Sequence, residues 1–425
     1  MPEGERIVNT DIWETLYQSL QKPKPGPAIT GFNANIDRVI PVTADLLASF
    51  EEHTVPGFDV FLPRLKHSMQ YCSADELFVS DHKVYQGIAD FFSTSGTLAI
   101  GGQAGIAAIQ MHRLGMTSVT CAVPGAGRMT HQLLRDAGVI PLTFEKRTGY
   151  PPDSIHIIFE YPPGLVPVAN GVVPRGNRFI ISPIHDPSTA IIPDACENSF
   201  LKRIASCERA FLSGYQYLRT KQEFVAAARQ IRLIRSANPP MRTHVESVSG
   251  LKKSILAMML RYIIPNTDSI GLNERELAAF LHAIRAPDHS TEAIPSSSPV
   301  ELVRQTITFA RATGVPRVHL HTFGYFLLLQ KPGTNMQPEV SRNALLLAAR
   351  SAADAAGGDE QGLSQEGLHA YADIRESFGQ DKTPGIFRVG DRVLVIVPTY
   401  ISQHSQKTSG LGDIISSTSF VADAL

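Results

Sequence analysis

Residues 209–246, RAFLSGYQYLRTKQEFVAAARQIRLIRSANPPMRTHVE, decide the fold class. A short apolar run at 209–213 leads to a longer helical stretch at 220–235, and a second short run follows at 242–246. The rhythm continues downstream through runs at 269–272, 317–321 and 392–397, with helical stretches at 251–261, 274–282 and 300–312 between them. Upstream it is present at 28–32 and 118–123, separated by a helical stretch at 104–114. Strands rich in β-branched residues alternating with helices are the pattern of an α/β, doubly wound sheet covered on both faces.

Two regions break the rhythm. Residues 39–97 and 143–181 hold few clean strand–helix units but include 154–161 and 177–181, which read as strands of a separate sheet. Because the alternation resumes after each, the expected organisation is a small α+β lid domain, 39–97 and 143–181, inserted into a large domain of 1–38, 98–142 and 182–425. Two stretches, 285–299 with its three prolines and 357–367, read as exposed loops.

The chain has 425 residues, of which 43% are hydrophobic, enough for a large core and a smaller one. Lys+Arg 39 against Asp+Glu 40 leaves a formal charge of -1, which removes the electrostatic term behind non-specific nucleic-acid binding. Cys72, Cys121, Cys196 and Cys207 are scattered without CxxC or Cys/His spacing, so neither a disulfide framework nor structural zinc is expected. No run approaches the roughly 18 apolar residues of a membrane span, and the N-terminal stretch carries acids instead of a basic, apolar leader. The expected setting is cytoplasmic, with small molecules as partners and neither nucleic acid nor membrane; nothing in the sequence bears on oligomeric state.

The strongest local signal is Thr408-Ser409-Gly410-Leu411-Gly412-Asp413, followed by an apolar helical stretch. Glycines Gly410 and Gly412 remove the Cβ atoms that block backbone approach, and the start of the helix offers free N–H groups to an anion. Asp413 there could take a proton from a hydroxyl while the N–H groups hold a phosphoryl group; the plain alternative is a glycine turn with Asp413 as an N-cap. Asn33, Asn35 and Asp37, at alternate positions after an apolar strand, offer two amides and a carboxylate to a polyol if the chain stays extended, or form an Asn/Asp turn. Gly101 and Gly102 enter the 104–114 helix, either as a backbone ligand site or as ordinary turn residues. Neither GxGxxG nor a Walker sequence is present there.

Two acidic motifs end predicted strands: His244-Val245-Glu246 and Asn273-Glu274-Arg275-Glu276. Ligands of open parallel sheets bind at such strand ends, so Glu246 and Glu276 are candidates to hold Mg²⁺, largely through water. First-turn acids and a satisfied strand-end histidine are the alternative. In the expected lid, strand alternation puts His156, Ile158 and Glu160 on one face. Arg178, with Arg175 nearby, could reach a phosphate from that side, or lie on the surface.

Taken in order, these motifs resemble the ADP-dependent sugar kinase family, the glucokinases and phosphofructokinases of the ribokinase-like superfamily. The likeness is carried by GFNANIDRV (31–39), GGQAG (101–105), IHIIFEY (155–161), PRGNRFI (174–180), LSGYQYL (212–218), HVES (244–247), GLNERE (271–276), RVHLHTFGY (317–325) and GLGD (410–413). It implies a ribokinase-like large domain with a lid that closes over the sugar, and Mg²⁺ with ADP as phosphoryl donor. It further implies Asp413 as catalytic base, Gly410 and Gly412 in the anion hole, and Arg178 on the nucleotide phosphates. Sugar contacts implied are Asn33, Asn35, Asp37, Gly101, Gly102 and His156; Glu246 and Glu276, supported by His244 and Asn273, match the family's HxE and NxxE metal motifs. Glu76, some two dozen residues before Gly101, resembles a lid glutamate of glucose-specific members and tilts the expectation to glucose. Fructose 6-phosphate stands close behind, because Arg175 and Arg178 could line a 6-phosphate pocket. An ATP-dependent enzyme of the wider superfamily, or a binding protein without turnover, are the alternatives.

Overall fold

The computed structural model describes residues 10–52, 55–142, 152–165, 172–173, 176–183, 190–193, 197–285, 298–332, 337–357, 361–402 and 409–423. Among them a 10-stranded sheet runs in the spatial order Ile386–Val389, Arg392–Pro398, Tyr325–Gln330, Arg317–His321, Ser269–Leu272, Arg242–Glu246, Arg209–Leu212, Pro27–Gly31, Ser118–Ala122 and Ile140–Pro141. The strands from Arg317–His321 onward pair in parallel, and the first three form an antiparallel edge. Central strands such as Arg209–Leu212 and Ser269–Leu272 are buried at every position, the signature of a sheet with helices on both faces. This is the doubly wound α/β sheet expected from residues 209–246.

Strand order reverses direction in the sequence between Pro27–Gly31 and Arg209–Leu212. Chain leaving the carboxyl ends of a parallel sheet at such a point opens a crevice, since neighbouring connections go to opposite faces. The Asn33 segment and Ser213 both emerge there. Helix Leu411–Ala422 lies under this edge and is buried from Ile414 to Ala422. Its Ser416, Ser417, Thr418 and Ser419 are small enough to pack tightly and polar enough to require partners: Gln110 donates to Thr418 Oγ1 at 3.0 Å, and Ser417 donates to the Asp413 carbonyl at 2.6 Å.

A second sheet has five strands in the order Asp75–Val79, Asn177–Pro183, Ile155–Tyr161, Asn35–Pro41 and Thr97–Gly101. Its register sorts the side chains by chemistry. Asp37 lies beside His156 and Glu160 opposite Arg178, so Asn35, Asp37, His156, Glu160, Arg178 and Ser182 share one face. Ile157, Phe159, Tyr161, Phe179 and Ile181 point to the other, where with Phe50, Phe61 and Phe92 they form a core of their own.

Several sequence expectations are revised. The second sheet already begins at Asn35, extends to Gly101 and ends at Pro183, so its edges lie a few residues outside the boundaries placed at 39, 97 and 181. The 39–97 region holds helices Ala44–Glu52, Phe58–Tyr71 and His82–Phe91, which its mixed periodicity concealed. The 357–367 stretch is not a simple loop: Gln361–Leu363 pairs antiparallel with Tyr400–Ser402, and Ser364 caps the helix Gln365–Phe378. The expected 251–261 helix is regular only over Lys253–Met258 and then widens into a π turn, Met259–Ile263. Most of the 285–299 loop, Arg175, Thr408 and Cys196 lie outside the described residues; Cys121 and Cys207 are buried free thiols. No described helix is long and apolar enough to cross a membrane.

Phe159 is fully buried, with ring centroids 5.7 Å from Phe61 and 5.1 Å from Phe92, and its strand carries His156 and Glu160 on the opposite face. Phe159→Ala should therefore cost about 3–5 kcal/mol of stability, the usual range for emptying a buried aromatic site, as read from urea unfolding. A change below about 1 kcal/mol would show that the core repacks freely.

Candidate active site

The carboxyl ends of the large sheet face the polar side of the second sheet, and the sequence-predicted residues converge where they meet. Gly410 caps helix Leu411–Ala422 with φ 71° and ψ 5°, a left-handed conformation that glycine adopts without Cβ strain. Asp413 follows in the first turn, where backbone N–H groups have no partner within the helix. Directly before the turn, Ser409 donates to Glu160 Oε1 through both its N–H, at 3.1 Å, and its hydroxyl, at 2.8 Å. The glycine turn is thus tied to the second sheet.

Asn35 and Asp37 share the polar face as expected, and the Asn35 amide donates to Asp37 Oδ1 at 2.6 Å. Asn33 departs from the extended pattern: it precedes the strand, and its side-chain oxygen accepts from Ser213 at 2.6 Å. It therefore joins the two sheets at the switch point while remaining close to its predicted companions. Gly101 lies against Asp37, where any Cβ would fall 2.0 Å from the carboxylate. Gly102 caps helix Gln103–Arg113, whose Ala104 N–H donates to the Asn33 carbonyl at 3.1 Å.

On the outer part of the face, Ser182 donates to Glu76 Oε1 at 2.6 Å and sits 3.1 Å from His156 Nδ1. Glu76, His156 and Ser182 form one hydrogen-bonded group. Arg178 lies among Asp413, Glu160, Asp37 and Glu76; burial lowers its pKa and these carboxylates oppose that shift.

The two acidic motifs are brought to the same place. His244 and Glu246 are both buried, with His244 Nε2 3.1 Å from Glu246 Oε2. Asn273 and Glu276 make a reciprocal cap: the Glu276 N–H donates to Asn273 Oδ1 at 3.0 Å and the Asn273 N–H to Glu276 Oε2 at 3.1 Å. Ser249 and the Asn273 amide also donate to Glu276 Oε1, at 2.9 and 2.7 Å. The capping alternative and the site reading are therefore compatible, since the cap fixes the carboxylate at the strand end.

Burial pushes Asp413 up to about 7; Glu276 and Asp37 add to the rise, and Arg178 opposes it. Part of the Asp413 surface remains open, so water has access to it. Burial likewise raises Glu276 to about 7, against its hydrogen bonds. Glu246 rises well above the carboxylate range through burial and the charges of Asp413 and Glu276. Buried carboxylates raised by the charges of neighbouring carboxylates make a place where a cation is favourable. Among the described residues no three His, Cys, Asp or Glu side chains are arranged to enclose a metal. The fit is to a hydrated ion resting on one or two carboxylates, the usual habit of Mg²⁺.

Sequence reasoning left several members unassigned. Glu160 lies on the polar face without an assigned role, Ser213 lies in the 212–218 motif without one, and Ser182 and Ser249 carry no motif signal; each is defined by a partner distant in sequence. His321 is another, because a Cβ at Gly412 would lie 3.3 Å from its Nε2. Burial lowers the His321 pKa to about 4, so a neutral imidazole flanks the glycine turn.

A model of the ADP-specific phosphofructokinase/glucokinase conserved region matches residues 27–422. An ADP-dependent glucose/glucosamine kinase of Pyrococcus abyssi is 28% identical over 97% of this chain and 97% of its own length. An ADP-specific phosphofructokinase of Methanosarcina acetivorans is 25% identical over 89% of this chain and 86% of its own. In fold, the chain is similar to a solved ADP-dependent kinase in complex with fructose-6-phosphate and ADPβS, with a TM-score of 0.80 at 21% identity and 98% of each chain covered.

The raised Asp413 pKa has a consequence for stability. An acid with a higher pKa in the folded state keeps a proton that the unfolded chain releases, so stability falls as pH rises from the unfolded value of about 4 towards about 7. The slope is at most about 1.4 kcal/mol per pH unit. In the absence of ligands, Asp413→Asn should therefore raise the thermal midpoint more at pH 8 than at pH 5. An equal shift at both pH values would show that Asp413 is not held in this way.

Proposed function

We propose, from the premise that the chain belongs to the ADP-specific phosphofructokinase/glucokinase family, that it transfers the β-phosphoryl group of ADP to a hydroxyl of a hexose and releases AMP. The observation that carries this reading is the meeting of Asp413, at a helix start behind a glycine turn, with Arg178 from the second sheet and with Glu246 and Glu276. An acid poised near neutrality beside an anion-binding helix terminus suits removal of a hydroxyl proton next to a phosphoryl group.

In this mechanism Asn33, Asn35, Asp37 and His156 hold the sugar between the sheets, with the Gly101–Gly102 turn allowing close approach. The hydroxyl oxygen attacks the β-phosphorus and its proton passes to an Asp413 oxygen. The bond from the β-phosphorus to the α–β bridging oxygen breaks, and AMP leaves with the electron pair. N–H groups of the Gly410–Gly412 turn and the Arg178 guanidinium balance charge on the phosphoryl oxygens. Glu246 and Glu276 would hold Mg²⁺ through water, and the ion when bound supplies further neutralisation of the phosphates. The second sheet acts as a lid; the Ser409–Glu160 bonds supply contacts for its closed position, which excludes water that would compete with the sugar.

For the acceptor, glucose is favoured. Glu76 is hydrogen-bonded into the polar face beside His156, where a carboxylate suits a neutral polyol and opposes a 6-phosphate dianion. Similarity to the Pyrococcus abyssi glucose/glucosamine kinase over 97% of both chains points the same way.

Purified protein with Mg²⁺ and ADP should release AMP when given glucose, more slowly with fructose 6-phosphate, and not without sugar. AMP release faster with fructose 6-phosphate would reverse the acceptor assignment, and turnover with ATP alone would remove the donor assignment. Asp413→Asn should lower kcat by about 10²–10⁴-fold, the typical contribution of a general base, with glucose affinity within about threefold of native by calorimetry. A kcat within about tenfold of native, roughly 1.4 kcal/mol of barrier, would exclude Asp413 as the base.

A further inference from the structure

The mechanism makes no use of Arg317, although it is fully buried on the strand next to Ser269–Leu272. Its Nε donates to Asp423 Oδ2 at 2.9 Å, one terminal nitrogen to Ser419 Oγ at 2.8 Å, and the other to Ser269 Oγ at 2.9 Å. Asp423 is held in turn by Ser341, whose hydroxyl donates to Oδ1 at 2.7 Å. The guanidinium therefore has a fixed position at the far end of helix Leu411–Ala422, whose first turn carries Asp413.

Arginine has only donors, so the Arg317–Ser269 bond runs in one direction and Ser269 Oγ accepts. The hydrogen-bonding neighbours of Ser269 Oγ among the described residues are Arg317 and His244, whose Nδ1 lies 2.9 Å away. If Nδ1 carried hydrogen, Ser269 would receive two donors and its own proton would have no acceptor at a fully buried position. An imidazolium strands the serine proton in the same way and adds a cation near Arg317. One arrangement satisfies every group: Arg317 N–H to Ser269 Oγ, Ser269 O–H to His244 Nδ1, and His244 Nε2–H to Glu246 Oε2. The ring is also sandwiched between Phe211 and Phe420, at 5.1 and 5.0 Å between centroids.

We infer that Arg317, through Ser269, sets His244 as its Nε2–H tautomer, making Arg317, Ser269 and His244 a positioning relay that orients the Glu246 carboxylate as an acceptor. A chain of bonds thus couples the buried Arg317–Asp423 pair to the acidic end of the site, in the manner of partners that orient metal-ligating groups. Its effect on a divalent cation rests on the reading of Glu246 as a metal-site residue; the tautomer does not.

The test is a long-range ¹H–¹⁵N correlation spectrum of the full chain labelled with ¹⁵N-histidine, with the His244 signals identified by their loss in His244→Asn. The relay requires a protonated Nε2 and an unprotonated Nδ1 in the native protein; an Nδ1–H or doubly protonated pattern overturns it. Ser269→Ala should convert the signals to a mixture of tautomers, and an unchanged pattern removes the role given to Arg317 and Ser269. Mn²⁺ binding in the presence of ADP, followed by electron paramagnetic resonance, should weaken roughly tenfold in Ser269→Ala. Unchanged Mn²⁺ binding with the expected native tautomer would leave the relay standing and overturn its link to the cation.

Discussion

Asp37, Glu246, Glu276 and Asp413 come from four elements, and the charges of Asp413 and Glu276 raise the pKa of Glu246 while those of Glu276 and Asp37 raise that of Asp413. Such a group is unstable unless something opposes the repulsion and the loss of hydration. Arg178 supplies part of the opposition from the second sheet, the helix start at Gly410 supplies another part, and bonds from Asn273 and Ser249 hold Glu276. Much of the remaining architecture can be understood as the means of keeping these groups in place. On the proposed reading, what is unfavourable in the free protein becomes useful when a cation and phosphates arrive, because their charges then have prepared partners.

Two kinds of support meet at this site. Behind it lies a rigid one: helix Leu411–Ala422 is buried along most of its length, and its serines and threonine bond to Gln110 and Arg317. Asp413 is thus mounted on an element that has little freedom to shift. In front, a pair of bonds from Ser409 to Glu160 joins the glycine turn to the second sheet.

Much of the site was legible as motifs because their chemistry is local. The glycine turn and Asp413 occupy adjacent positions, the Asn273–Glu276 cap closes over three residues, and His244 and Glu246 lie on the same side of one strand. Glu160 was less legible, since its value depends on Ser409, 249 residues away. Ser182 matters through Glu76, and Arg317 through Asp423, by contacts of the same long-range kind. The 357–367 stretch misled for a related reason: its glycines suggest a loop, while pairing with Tyr400–Ser402 makes part of it a strand.

By itself the sequence determined the doubly wound α/β class, the presence of a second sheet and the identity of the acidic and glycine motifs. Strand and helix periodicity are local properties, and turn and cap residues act on their immediate neighbours. Only the tertiary structure decided that Asp37, Arg178 and Asp413 share one electrostatic environment and that Asn33 bonds across to Ser213 instead of continuing a strand. It also brought Arg317, Ser269, His244 and Glu246 into one hydrogen-bonded chain. Those outcomes depend on sheet register and on which strands become neighbours, and burial then sets the protonation and the hydrogen-bond direction of each group.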